Sequence, residues 1–330
     1  ALTTGPQVAA ERLDLLCATY SLGLLERLAV VASVAPSLDP RLAAVYARLN
    51  GAADRPVLTT GLLLDLAEVD PWDPVARRWL GAGSTLMAAG LVRQTDDAPF
   101  HSRLLTVPDR VLHHLLGNDE MQGVLERCVV EVIGVSHPVG EEISRLLESG
   151  EWNIYLRDPA AVAPAIAVET LNSLEIASLV VDLARRGSSS AREVIREARR
   201  EAALLRHALV VGPVEAVPLD EREQFDLLTD AEVPVVVHGG ITWDPSWVRE
   251  SPALVHVDAI DSGHRRQVWE EAFRAAGVDL DPGGPAAIYK LAPTAIADAV
   301  RIAELHAVAT GDDIDADAVA RGVRSQNSVA

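Results

Sequence analysis

Trp152-Asn153-Ile154-Tyr155-Leu156, followed by Arg157-Asp158-Pro159-Ala160-Ala161-Val162-Ala163-Pro164, is the junction on which the fold turns. Trp152–Leu156 reads as a short apolar strand and Ala160–Leu174 as an alanine-rich helix. The same alternation then continues down the chain. Leu179-Val180-Val181-Asp182, Ala208–Val211, Val233–His238 and Leu254–Val257 read as strands. Between them lie Ser188–His207, an amphipathic helix rich in Arg/Glu pairs at three- and four-residue spacing, and the helix Asp220–Thr229. Apolar strands alternating with helices predict a parallel sheet covered on both faces. From Ser262 onward the pattern is nearly all helical: Gly263–Ala276, Pro285–Leu291, Pro293–Thr310 and Asp315–Asn327.

A strand-to-helix junction of this kind is where a phosphate loop, G-x-x-x-x-G-K-[ST], would stand. Its glycines free backbone amides to cradle phosphates, its lysine reaches the β/γ oxygens and its hydroxyl holds Mg²⁺. Arg157, Asp158, Pro159 and Pro164 occupy that place here; the loop has no glycine and no lysine, and Asp158 sets a negative charge where phosphates would sit. The only lysine in the chain is Lys290. Ala208–Val211 is followed by Gly212-Pro213-Val214-Glu215, so the first acid expected at a metal-holding strand end is missing. Glu215 is either a remnant of the second acid or a solvated turn residue. Asp182 ends a strand, but one strand too early for that role. His238 closes the strand Val233–His238 at a position suited to sensing a catalytic water. His238-Gly239-Gly240 also resembles an esterase oxyanion loop, but that chemistry needs a G-x-S-x-G elbow. The nearest stretch, Gly187-Ser188-Ser189-Ser190-Ala191, lacks the last glycine, and its serines read as helix caps.

Upstream, residues 8–120 read as short helices with one hairpin. Asp39-Pro40 opens a helix to Leu49, Thr60 caps Gly61–Glu68, and Asp73-Pro74 opens Val75–Ala89. Leu91–Gln94 and Arg103–Thr106 flank a polar turn, and Pro108 starts a helix ending at Gly117. Helix, helix, helix, two-stranded wing, helix is the order of a winged-helix domain. Val75–Ala89 would then be its recognition helix, carrying Arg77 and Arg78. Residues 1–120 hold 10 arginines against 14 acids, and Asp96 and Asp97 stand in the wing, so protein docking is favoured over DNA binding.

Composition narrows the function further. The 330 residues are 49% hydrophobic with a net charge of −19, which supports a large core and repels phosphate backbones. No apolar run approaches the roughly 20 residues that span a bilayer, and Ala1–Gln7 lacks a signal-peptide pattern. The expectation is a cytoplasmic protein with neither a membrane nor a nucleic-acid partner. Cys17 and Cys128 stand far apart and read as free thiols. His113 and His114 point to different helix faces. His256, Asp258, Asp261 and His264 have ligand atom types without a recognised metal spacing.

Several stretches in this order resemble the N-terminal part of a bacterial AAA family ATPase with tandem modules. They are Pro36-Ser37-Leu38-Asp39-Pro40-Arg41 with Tyr46-Ala47-Arg48-Leu49; Pro108-Asp109-Arg110-Val111-Leu112-His113-His114-Leu115-Leu116-Gly117; Arg265-Arg266-Gln267-Val268-Trp269-Glu270-Glu271-Ala272-Phe273; Leu291-Ala292-Pro293-Thr294-Ala295-Ile296; and Arg324-Ser325-Gln326-Asn327. The resemblance implies an α/β fold class: a winged-helix-like domain (1–120), a helical connector (121–150), a degenerate P-loop-NTPase-like α/β subdomain (151–261) and a helical lid (262–330). It implies protein remodelling driven by ATP, with this segment as the regulatory and assembly half. Arg265 or Arg266 would touch a neighbouring subunit, and the winged helix would recruit an unknown client. ATP and Mg²⁺ are expected only in a second, competent module of roughly 200–250 residues after Ala330, and no cofactor in this segment. The alternative from a different class is a winged-helix DNA-binding regulator using Arg77 and Arg78.

Overall fold

The computed structural model describes residues 5–81, 83–95, 98–258, 262–289, 291, 293–311 and 313–327. Residues 1–123 together with 196–206 form one compact unit, and residues 124–195 with 207–330 form a second.

The first unit is a winged helix. Helices Gly5–Thr19, Leu24–Leu38 and Pro40–Leu49 precede a three-stranded antiparallel sheet of β1 (Leu58–Thr59), β2 (Arg93–Gln94) and β3 (Leu104–Thr106), in the order β1-β3-β2. The hairpin read from the sequence is present, with Arg93 opposite Thr106, and β1 adds a third strand by setting Leu58 opposite Leu105. Val30, Leu58, Leu64, Leu86, Leu91, Leu105 and Val111 are fully buried and form its interior. Asp39 caps its helix as expected, accepting the Arg41 N–H at 2.9 Å. At the next helix the cap is Thr59 rather than Thr60. The Thr59 Oγ1 accepts from Leu62 N at 3.2 Å, because Thr59 is the residue still in extended conformation.

The expected helix Val75–Ala89 is two short ones, Pro74–Trp79 and Thr85–Ala88. Gly81 and Gly83 are poor helix formers, and Ser84 restarts the helix from an extended conformation (ψ 152°). Among the described residues of this stretch, the two helices are separate and form no continuous recognition helix.

Polar interactions are buried in this unit. Arg110 Nε and Nη2 donate to the two oxygens of Glu201 at 2.8 and 2.6 Å, and Nη1 donates to the Asn118 carbonyl at 3.0 Å. His114 Nδ1 and Arg12 both meet Asp119, at 2.6 and 2.7 Å. Burial pushes the His114 imidazole below its usual value, against the pull of Asp119.

The second unit is built on a five-stranded parallel sheet: β4 (Asn153–Arg157), β5 (Ser178–Asp182), β6 (Ala208–Gly212), β7 (Val235–Gly239) and β8 (Ala253–His256), in the order β5-β6-β7-β4-β8. The first strand in sequence therefore lies inside the sheet, with Tyr155 beside Val237 on one side and Leu254 on the other. Helices Val139–Glu148 and Ala163–Ser173 cover one face, packing Ile143, Ile166 and Leu171 on Ile154, Val210 and Val236. This is a parallel α/β layered unit, as the alternating strands and helices predict. The expected helix at 188–207 begins at Ala191, where the Ser190 Oγ accepts the Glu193 N–H at 3.2 Å as its cap. The segment Leu219–Leu228 is 3₁₀ rather than α-helical.

Among the described residues the helices Ser262–Ala275, Gly283–Ile288, Pro293–Thr310 and Ala316–Asn327 follow. Their core joins Trp269 and Phe273 to Ile296, Ala303, Val319 and Val323. Pro293–Thr310 and Ala316–Asn327 meet closely because Gly322 has no side chain. A Cβ there would lie 2.1 Å from the Ala299 carbonyl oxygen. Gly322→Ala is therefore expected to force the pair apart and cost about 1–3 kcal/mol, read as a lowered melting transition of the second unit by calorimetry. An unchanged transition would show that the two helices are not held at this distance. Among the described residues, no single helix is long and apolar enough to cross a membrane.

Candidate functional site

In an open α/β sheet, ligands bind beyond the carboxyl ends of the strands. Here that edge gathers the loop after β4, the turn after β6 and the Gly-Gly after β7. Asp158 N–H donates to the Gly239 carbonyl at 2.8 Å, extending the β4–β7 ladder by one bond. The chain then turns through Pro159 and Ala161, whose φ of 55° is left-handed, and enters the helix Ala163–Ser173 with Pro164 in its first turn.

The Asp158 side chain folds into this turn. Its Oδ1 accepts from Ala160 N at 2.9 Å, and its Oδ2 accepts a short bond from Ala163 N. The residue is 4% exposed. Burial raises its carboxyl above the ordinary range, opposed by the amides of Ala163, Ala160, Val162 and Ala161. Helix-start amides of this kind bind anions, and in this protein they hold the chain's own carboxylate. Arg157, one residue earlier, has a buried Nε without a hydrogen-bond partner among the described residues.

Glu215 sits in a short 3₁₀ turn that follows the cis Gly212–Pro213 peptide, and its two oxygens accept the Gly240 N–H at 2.9 and 3.1 Å. The carboxylate reaches across from β6 to the loop after β7. The Gly240 amide is consequently engaged, and His238-Gly239-Gly240 does not present it as an oxyanion donor. His238 is buried against Gly212, where a Cβ would lie 2.7 Å from the imidazole Nε2. Desolvation pushes its pKa down to about 4, so the ring is neutral at pH 7.

Sequence reasoning missed Tyr155. Its hydroxyl donates to the Ile241 carbonyl at 2.7 Å and lies 3.2 Å from the Gly239 carbonyl. Its ring packs 4.9 Å from Trp243, which in turn meets Phe225 and Trp247. Burial and the nearby Glu215 charge push the phenol up to about 12. The density of aromatics between 225 and 247 was the available signal. This cluster, capped by Arg222 over Trp247 at 5.1 Å, pins the loop that Glu215 holds from the other side.

The remaining candidates are dispersed. Arg77 stacks on Phe100 at 4.3 Å, while Arg78 is exposed on the same short helix. Arg265 Nη1 donates to the Ala286 carbonyl at 3.3 Å, and Arg266 pairs with Asp281 at 3.5 Å, both within the helical part. His256 and Asp258 are exposed; Asp261, Asp96, Asp97 and Lys290, and the side chain of His264, lie outside the described residues. Among the described residues no three His, Cys, Asp or Glu side chains group as a metal site. Cys17 and Cys128 are free thiols, raised in pKa by burial.

Residues 1–129 match the family model described as "Winged helix domain, variant". No curated protein matches the chain. Among solved structures, the Thermotoga maritima RuvB Holliday junction branch migration motor is similar at a TM-score of 0.37 and 12% identity, over 58% of this chain and 70% of that one.

Proposed function

We propose that this chain is the regulatory and assembly part of an AAA family protein-remodelling ATPase, and that its own α/β unit does not hydrolyse nucleotide. The observation that carries the reading is the Asp158 carboxylate lying on the amides of Ala160 and Ala163. An incoming phosphate would find those donors taken and a negative charge in their place. Glu215, committed to Gly240, supports the same reading, because a carboxylate that would help hold Mg²⁺ is engaged with backbone. In this reading the winged-helix unit recruits a client protein and the α/β unit packs against neighbouring subunits of an oligomer. ATP and Mg²⁺ act in a second AAA module. A nucleic-acid partner is disfavoured by the broken helix at Gly81–Ser84, the stacking of Arg77 on Phe100 and the net charge of −19.

Titrating Mg·ATP into the 330-residue chain by calorimetry, alongside a coupled phosphate-release assay, tests this directly. No binding heat at millimolar nucleotide and no turnover above a mock preparation are expected. Hydrolysis above the mock that is lost on adding EDTA would overturn the reading.

A further inference from the structure

Arg196 and Arg200 stand one turn apart on one face of the helix Ala191–Leu205, in the part of it that belongs to the first unit. Both side chains lie against Gly90, in the turn before β2. A Cβ there would sit 3.5 Å from Arg200 Nη1 and 3.9 Å from Arg196 Cδ. Arg93, which opens β2 three residues later, is exposed, and its charge acts on Arg200. None of these three arginines forms an ion pair among the described residues. Arg110 shows the ordinary arrangement in the same unit, where Glu201 accepts from two of its nitrogens.

Arg200 is the member with the largest unmet need. It is 5% exposed, its Nε is buried without an acceptor, and its one hydrogen bond runs from Nη1 to the Gly90 carbonyl at 3.5 Å. Burial pushes its pKa below the ordinary arginine value. A guanidinium nevertheless stays protonated in a folded protein, so losing the proton is no escape from the cost of burying the charge. The carboxylates whose charges reach Arg200 are Glu197 and Glu201, and the Tyr20 phenol is the other group that faces it. Glu201 is committed to Arg110, and Glu197 forms no ion pair with Arg200. Arg93, Arg196 and Arg200 against Glu197 leave two positive charges over, on a chain whose net charge is −19.

We propose that Arg200, Arg196 and Arg93 form a binding site in the winged-helix unit for one small dianionic oxyanion of the phosphate or sulfate class. Two negative charges match the surplus, and tetrahedral oxygens accept from guanidinium edges singly or in pairs. The small exposure of Arg200 suits a compact ion, and the net charge of the chain repels polyanions at long range. The site is separate from the junction at 157–164 and goes beyond the reading of that junction.

Sodium phosphate is titrated into the full chain at pH 8, with sodium chloride exchanged to hold the ionic strength, and followed by titration and scanning calorimetry. Saturable one-site binding is expected, with the first unit's melting transition rising and the second's unmoved. Arg200→Met removes an unpaired buried charge. Without phosphate its first unit is therefore expected to melt no lower than that of the wild type, whereas at saturating phosphate the wild type melts higher. Arg93→Gln, at an exposed position, is expected to weaken phosphate at least about threefold and to leave the phosphate-free transition unchanged. If Arg200→Met does not fold, Arg93→Gln carries the comparison. No saturable binding, or equal stabilisation of the wild type and the variants, would overturn the proposal, because the latter is general exclusion of the salt from protein surface. So would an Arg200→Met first unit destabilised equally with and without phosphate, which is a purely structural role. Competition by a short DNA duplex or by Mg·ATP that Arg200→Met removes would also overturn it, since the occupant would then be a nucleic-acid or nucleotide phosphate. Turnover of ATP by the chain would sink the preceding section's reading and leave these outcomes unaltered.

Discussion

Glu201→Ala is expected to cost the winged-helix unit about 3–5 kcal/mol, the largest loss of any single substitution considered. Both partners of the Arg110–Glu201 pair are nearly inaccessible, with side chains 6% and 2% exposed. Removing the carboxylate takes away both short bonds of a buried guanidinium and leaves it the Asn118 carbonyl at 3.0 Å and the Asp119 carboxylate at 3.5 Å. The pair itself need not stabilise the fold on balance, since desolvating two charges offsets most of their attraction. Arg110→Met combined with Glu201→Leu is accordingly expected to recover most of the loss. Calorimetry of the full chain would read the first unit's transition lowered by more than about 10 °C in the single variant and restored in the double. Equal losses in the single and double variants would show that the site needs the carboxylate itself.

Asp158→Ala is expected to destabilise the second unit by about 2–4 kcal/mol. It strips two amide bonds from a buried carboxylate and leaves the Ala160 and Ala163 N–H groups unsatisfied. Asp158→Asn keeps one acceptor oxygen but sets an NH2 donor against the other amide, and is expected to cost less than Asp158→Ala at pH 7. Its pH dependence carries the sign. Burial raises the folded carboxyl above its unfolded value, so protonation favours the folded state. The contribution is full below about pH 3.9 and is lost as pH rises through the raised folded value. The asparagine variant lacks this titration, so its stability should gain on the wild type as pH rises through that window. His238 works in the opposite direction: held near pKa 4, it withdraws stability as pH falls from about 6.5 toward 4, equally in both proteins. Chemical denaturation across pH 3–7 in paired samples separates the two. A difference between the proteins that stays flat with pH would refute the assigned direction.

Much of the fold was legible because it is local. Alternating apolar strands and amphipathic helices mark the α/β unit, and Asp39-Pro40 marks a helix start that the Asp39 cap confirms. The missing glycines and lysine of the junction at 157–164 were legible for the same reason. What the chain did not disclose depends on contacts far apart in sequence. Arg110 and Glu201 are 91 residues apart, and Tyr155 meets Ile241 across 86. Periodicity carries no information at such separations. Val75–Ala89 misled because its apolar spacing is helical throughout, while Gly81, Gly83 and Ser84 make interruption the better local solution. Asp158 was read as a charge that repels phosphate; that its carboxylate would itself satisfy the helix amides required the backbone path through Ala161.

That substitution has a consequence for how the unit responds to its surroundings. A domain whose anion site is filled by a diffusing ligand owes part of its stability to the ligand's concentration, through RT ln(1 + [L]/Kd). Here the anion is tethered five residues from the Ala163 amide it occupies, and its effective concentration is fixed by the chain. The unit is saturated from the moment it folds. Its melting temperature should therefore not depend on the concentration of any diffusing anion that competes for those amides.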